Sequence, residues 1–346
     1  MGNSGATAIA DELMKVNCAI VRLDLGINVG DSGVTAIAAA LKGSTSLTTL
    51  DLSSNAQIGD RGAAALAAAL KVNTALALLD LRINTVGFGG AAALAEALHI
   101  NTMLATLYLG DNNVGDRGAT ALGEALKVNA ALATLDLNDN SIGVSGGTAI
   151  AEALNGNVAL TELTLHSNSI GDRGAIAIAE ALKANAALAT LDLSSNNIGD
   201  SGAFAIAEAL KVNMGLTLLN INGNDNIGDS GATGIAEALK INTALTTLII
   251  NSNGISKDAT ASIEASLAEN RDPIKAAEKK NPQLRLARVN KEAAEATVKL
   301  ERDVHSMQDR EHPSLAMIAI ATLLGVCLVA YAYNPLATPD IPAKQR

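Results

Sequence analysis

The chain has 346 residues, a formal charge of −10, 49% hydrophobic residues, two Phe, three Tyr and no Trp. So few aromatic residues mean a core packed from Ala, Leu and Ile, and the acidic balance excludes the basic, phosphate-neutralising surface that nucleic-acid binding needs. The two cysteines, Cys18 and Cys327, lie in an early half-unit and in an apolar run. They exclude a disulfide framework and favour a reducing compartment.

The stretch Met1 to Ala19 reads as the back half of a repeat without its strand, because MGNSGATAIADEL aligns with the later IGDSGAFAIAEAL. It holds no apolar run of the secretory kind. The Met-Gly start is not a myristoylation signal, since Ala6 stands where Ser or Thr is required. A repeat cut in mid-unit is the expectation.

From about Ile20 to about Asn270 one unit recurs. Its first leucine returns at Leu76, Leu104, Leu132, Leu160, Leu188 and Leu216, always 28 residues apart, and Ile20, Leu47 and Leu245 extend the series. A fixed period of this size predicts a solenoid, here of nine strand-bearing units. In the unit from Leu188 to Gly215, Leu191 and Leu193 alternate with Asp192, the pattern of a strand with one buried face. Ala203, Ile206, Ala207 and Leu210 share one helical face. Asp200 stands at an expected helix N-cap, and Asn213 near the helix end, where Asn tolerates a left-handed turn. Neither half buries its apolar face alone, so stacking supplies the core.

Asparagine follows the strand at Asn28, Asn55, Asn84, Asn112, Asn140, Asn168, Asn196, Asn224 and Asn253. An amide offers a donor and an acceptor to turn backbone, so these positions predict a structural ladder. The recurring GDRG and GDSG strings lack the Lys-Ser/Thr ending of a phosphate loop.

The LxxLxLxxN core (Leu188, Leu191, Leu193, Asn196) and the GDxGAxAIAEAL helix after it resemble the leucine-rich repeat of the long, ribonuclease-inhibitor-like class. The helix wording is similar to that of NOD-like receptors and the Ran GTPase-activating protein. The resemblance covers roughly residues 1 to 270. It implies an α/β solenoid, a horseshoe with parallel strands on the concave face and helices on the convex face. It also implies that the concave face and adjoining loops bind another protein.

On that face the outward strand position carries Asp24, Asp51, Asp80, Tyr108, Asp136, Thr164, Asp192, Asn220 and Ile249 in turn. Asp111, Asp139 and Glu162 widen a broken acidic stripe that only Arg22 and Arg82 oppose. The expected partner-binding set is Asp24, Asp51, Asp80, Tyr108, Asp111, Asp136, Asp139, Glu162, His166 and Asp192, suited to a protein with a basic segment. His166, flanked by Asn138 and Ser194 with Asp139 near, invites a Ser-His-Asp reading. Polar residues fill this face in every unit and nothing supplies an oxyanion hole, so no catalytic residue is assigned. No metal or cofactor motif occurs.

Through Asn270 the chain has 13 basic and 26 acidic residues, a balance of −13; from Arg271 to Pro313 it has 10 basic and 8 acidic, or +2. Residues 271–312 predict a charged linker helix, with a weak heptad seam at Leu286, Ala293, Leu300 and Met307. Leu315 to Tyr333 is a run of 19 uncharged residues. It predicts a transmembrane helix over 313–334, with Ala321 and Gly325 as a small-xxx-small packing pair, before a polar tail over 335–346. The expectation is therefore a single-pass, C-terminally anchored scaffold or accessory subunit of a membrane complex. Its repeat domain (half-repeat 1–19, nine repeats 20–270) would be cytosolic, on the mitochondrial or endoplasmic reticulum membrane. The alternatives are a regulator of a small GTPase and a fragment of a NOD-like sensor.

Overall fold

The computed structural model describes residues 2–15, 19–26, 28–251 and 253–308. They form two units, dividing after Arg271. In the first, ten helices alternate with nine three-residue strands. The strands are β1 (Arg22–Asp24), β2 (Thr49–Asp51), β3 (Leu78–Asp80), β4 (Thr106–Tyr108), β5 (Thr134–Asp136), β6 (Glu162–Thr164), β7 (Thr190–Asp192), β8 (Leu218–Asn220) and β9 (Thr247–Ile249). The helices are α1 (Asn3–Leu13), α2 (Asp31–Leu41), α3 (Asp60–Leu70), α4 (Phe88–Leu98), α5 (Gly115–Leu126), α6 (Val144–Leu154), α7 (Gly171–Leu182), α8 (Asp200–Leu210), α9 (Asp229–Leu239) and α10 (Lys257–Arg271).

All strands pair in parallel and in sequence order, with equivalent residues opposite, as in Leu163 against Leu191 and Thr164 against Asp192. That register puts the central strand leucines in one row and the outward residues in one column. Leu191, Leu193, Ala203, Ile206, Ala207 and Leu210 are all buried, as are their counterparts in the inner units, while Ile9 and Leu248 in the end units are half-buried. Parallel strands sit about 4.8 Å apart and packed helices about 8–10 Å apart, so a stack of both must curve with the sheet inside.

Two details depart from the sequence expectation. Asp200 is the first residue of α8, not its cap; Gly199 holds the cap position. Its carboxylate instead reaches the next unit, where Oδ1 accepts from the amides of Gly228 and Gly231 (both 2.8 Å). Asp31, Asp60, Asp116 and Asp172 do the same for the helices that follow them. Asn213 makes no left-handed turn. Its Nδ2 donates to Leu182 O and Asn185 O of the unit before, and its Oδ1 accepts from Gly215 N and Leu216 N. A short amide that closes its own turn and ties it to the previous one needs no special backbone.

The second unit contains α11 (Pro273–Lys280) and α12 (Pro282–Gln308). The Asp272 side chain caps α11 by accepting from Ile274 N and Lys275 N. Arg288 joins the two helices through a forked pair with Glu278 and a third bond to Glu292. That pairing holds the Glu278 carboxyl below, and the Arg288 guanidinium above, their usual ranges.

The expected transmembrane helix is corrected. Among the described residues no helix is long and apolar enough to cross a membrane. The long helix, α12, carries charged residues along its whole length and none of the uncharged run. Leu315 to Tyr333, with Ala321 and Gly325, lies outside the described residues, as do Cys18 and Cys327. The described residues thus form a parallel-strand and helix solenoid in which no helix is long and apolar enough to cross a membrane, and the single-pass membrane localisation that rested on such a helix is withdrawn.

Candidate functional site

The turn after each strand has to satisfy backbone groups that face the core. Asn168 shows how this is done. Its Nδ2 donates to Leu137 O, Leu165 O and His166 O, and its Oδ1 accepts from Asn140 N and Ile142 N. Asn55, Asn112, Asn140, Asn196, Asn224 and Asn253 bond turn backbone in their own and neighbouring units in the same manner. Asn84 donates likewise, but its buried Oδ1 has no donor. The cause lies in the preceding unit, which carries an extra residue at Ala56-Gln57, so that Ile58 N turns back to Asn55 O. Asn28 stands apart, exposed and left-handed (φ 74°). A second column, Asn73, Asn101, Asn129, Asn157, Asn185, Asn213 and Asn242, closes the turn after each helix by donating to the helix-end carbonyl of the unit before. Sequence reasoning passed over it, although it keeps the same spacing as the first.

These turns hold the inner sheet face, and the acidic residues fall into two groups there. Toward the N-terminal end the carboxylates are neutralised. Arg22 lies 4.0 Å from Asp24 and 3.7 Å from Asp51. Asp80 is buried and receives Nε and Nη2 of Arg82, whose guanidinium also sits 4.7 Å from the centre of the Tyr108 ring. The bond to Asp80 keeps the Arg82 proton more tightly than usual. An arginine between a carboxylate and an aromatic face gains from both.

Between β4 and β7 the arrangement changes. Asp111, Asp136, Asp139, Glu162 and Asp192 meet no cation within ion-pair distance among the described residues. Asp136 is pushed above the usual carboxylate range chiefly by burial, with the nearby charges of Asp80 and Asp111 adding to it; the Asn138 amide and Arg82 pull the other way. Asp111 and Asp139 stand in left-handed turn positions (φ 54° and 48°) and project into solvent.

His166 is held within a polar chain on the same face. Its Nδ1 lies 2.7 Å from Ser194 Oγ and its Nε2 lies 2.9 Å from Ser167 Oγ. Ser194 Oγ donates to Asp192 Oδ1, and Asn220 Nδ2 donates to Asp192 Oδ2 at 2.8 Å. Since the Ser194 proton goes to Asp192, Ser194 must accept from Nδ1–H, and a neutral imidazole then accepts from Ser167 at Nε2. Of the neighbours expected from sequence, the ring hydrogen-bonds to Ser194 and to neither Asn138 nor Asp139. The carboxylate reaches it only through Ser194. Among the described residues no cluster of His, Cys, Asp and Glu could hold a metal ion.

The family model for "Leucine Rich repeat" matches residues 43–67, 101–123, 128–151, 156–179, 184–207 and 212–236. The chain is a leucine-rich repeat protein. Among solved structures, this leucine-rich repeat protein is similar to a chain described as leiomodin-1 actin-binding site 2, with 23% identity and a TM-score of 0.37 over 58% of this chain and 97% of that one. It is also similar to the tropomodulin C-terminal domain of Caenorhabditis elegans, with 15% identity and a TM-score of 0.37 over 50% of this chain and 98% of that one. Likenesses this distant carry no argument about partners. No curated protein matches. Repeats of this family point to protein–protein interaction.

Proposed function

We propose that the repeat stack is a non-enzymatic docking scaffold whose inner face, between β4 and β7, receives a protein segment carrying Lys or Arg side chains. The observation that supports this reading is the contrast along one face. Asp24, Asp51 and Asp80 pair with Arg22 or Arg82, whereas Asp111, Asp136, Asp139, Glu162 and Asp192 have no cation within ion-pair distance among the described residues. Carboxylates in a column about 4.8 Å per strand apart repel one another, and a cationic partner relieves that repulsion. Tyr108, stacked on Arg82 at the edge of the group, offers the one aromatic anchor there. The rest of the energy is electrostatic, and it serves encounter and specificity more than tight affinity.

The test uses the full chain and a set of extended peptides matched in length, basic, neutral or acidic, with binding followed by fluorescence anisotropy. The basic peptide should bind, and its affinity should fall steeply as salt rises through about 0.15 M. Asp111→Asn with Asp192→Asn should weaken it about tenfold, while Asp24→Asn should have little effect. Equal binding of acidic and basic peptides, or loss of binding with Asp24→Asn alone, would reject the site.

A further inference from the structure

The edge of the stack where helices turn into strands carries apolar surface that the fold does not use. Val72, Ile100, Val128, Val212 and Ile241 immediately precede the buried asparagine of that turn, and Val158 immediately follows it. These six side chains are 54% to 80% exposed. Their size has no structural purpose. Gly156 and Ala184 occupy the preceding place in other units, and Asn157 and Asn185 beside them make the same turn bonds as Asn129 and Asn213.

We propose that this edge is where a second copy of the chain docks, edge to edge, about a two-fold axis. Three observations lead to a second copy. The first is area. At roughly 100 Å² of apolar surface for each largely exposed aliphatic side chain, the six present about 600 Å². Met103 and Met214, 43% and 50% exposed on the same edge, add to that. The total approaches the ~800 Å² that each partner contributes to a standard stable interface. It lies at the top of the ~300–600 Å² range that the largest apolar patch of a monomer usually covers, where such patches are often functional.

The second is charge. Through Asn270 the chain carries −13, so two copies repel over most of their surfaces. Along this edge the lysines that end the helices are matched by glutamates: Lys71 with Glu96 (3.1 Å), Lys127 with Glu124 and Glu152 (2.7 and 3.4 Å), and Lys183 with Glu180 (2.6 Å). The edge is locally neutral, so it is where a second acidic copy approaches with least repulsion. The third is periodicity. The row repeats with the unit, and a two-fold operation superposes a row of fixed spacing on itself, which is what an isologous contact requires.

The experiment is sedimentation equilibrium on the full chain over concentrations bracketing ~10 µM. The wild type should approach twice the 35.0 kDa of one chain. Ile100→Glu with Val128→Glu should weaken association at least tenfold and leave the far-ultraviolet circular dichroism unchanged, with the same melting temperature as wild type at concentrations low enough for both to be single chains. Ala64→Glu, on an exposed helical position, should leave association as in the wild type. Added salt should strengthen the dimer, since it screens the repulsion between acidic copies. A wild type with the mass of one chain throughout would overturn the proposal. So would association that survives Ile100→Glu/Val128→Glu, which would assign it to another surface or to the apolar run from Leu315 to Tyr333.

Discussion

Single side chains carry unequal shares of the stack, and the hydrogen bonds say which. Asn168 donates three bonds and accepts two, so Asn168→Ala leaves the amides of Asn140 and Ile142 buried without acceptors. At about 1–3 kcal/mol for each orphaned group, the loss should be about 3 kcal/mol or more. Asn84 accepts nothing, so Asn84→Ala strands no amide and should cost about half as much in urea denaturation. Equal losses would mean that the donated bonds alone matter. Asp136 makes the opposite kind of prediction. Its carboxyl is raised in the folded chain, chiefly by burial. The folded state therefore holds more protons than the unfolded state between the unfolded value, about 3.9, and the folded value above it. Stability falls as pH rises through that window, and the penalty is in full force at neutral pH. Asp136→Asn keeps an oxygen for the Asn138 amide and removes the penalty. The variant should melt higher than wild type at pH 7 and at the same temperature below the unfolded value, while binding the basic peptide less well. A melting point that rises equally at every pH would point to packing instead.

Helix starts are where one element depends on its neighbour. Six helices present a carboxylate to the next, the last through Asp229 to Ser256 N ahead of α10, but α4 begins with Phe88 and α6 with Val144. The helices after them, α5 and α7, have no carboxylate to meet. They begin at Gly115 and Gly171, both at φ +60°, with the amides turned to Asn140 O and Asn196 O. Phe88 instead takes the Arg117 guanidinium over its ring, 4.2 Å from the centre. Gly115→Ala should therefore cost about 1–2 kcal/mol, the price of a left-handed L-residue. Gly59→Ala should cost less, because Gly59 is extended (φ −113°) and a Cβ there meets Thr85 at an ordinary 3.6 Å. The two melting curves decide it. This dependence also explains what was legible in the chain. Period and alternation placed the strands, the helices and their buried faces, because burial repeats with the backbone. The role of Asp200 was misplaced because a motif read within one unit hides a bond made to the next. The meaning of Phe88 and Val144 at that position is hidden for the same reason. The acidic stripe was visible as composition, but its division into paired and unpaired halves required the positions of Arg22 and Arg82 in three dimensions. The membrane helix was inferred from length and hydropathy alone, and no described element supports it.

At the scale of the whole stack, each unit touches only its neighbours, so stability should behave as a sum over units and the junctions between them. Charge acts at the same scale and separates the two proposed surfaces: salt should weaken peptide binding on the inner face and strengthen pairing at the helix-end edge. Removing one whole unit tests the additivity. Deleting 188–215 takes out 28 residues and joins Ala187 to Leu216. Asn185 Oδ1, which now accepts from Ala187 N and Leu188 N, meets Leu216 N in place of Leu188 N. Asp172, which now caps α8 through Gly199 and Gly202, finds Gly228 and Gly231 one residue further along, at the offsets Asp200 already spans to reach them. Asn224 Oδ1, deprived of Asn196 N and Ile198 N, finds Asn168 N and Ile170 N. Each of these turn and cap bonds has a successor, and only the His166–Ser194 bond on the inner face meets a different residue, Asn222, so the shortened chain should melt cooperatively, a few degrees below wild type. Deleting only 188–201 gives none of these successors. It removes a strand and keeps its helix, so two helices follow one strand and an Asn column loses a member. That variant should show no cooperative transition by circular dichroism. If both deletions melt alike, the units are not independent in the way their neighbour-to-neighbour bonding implies.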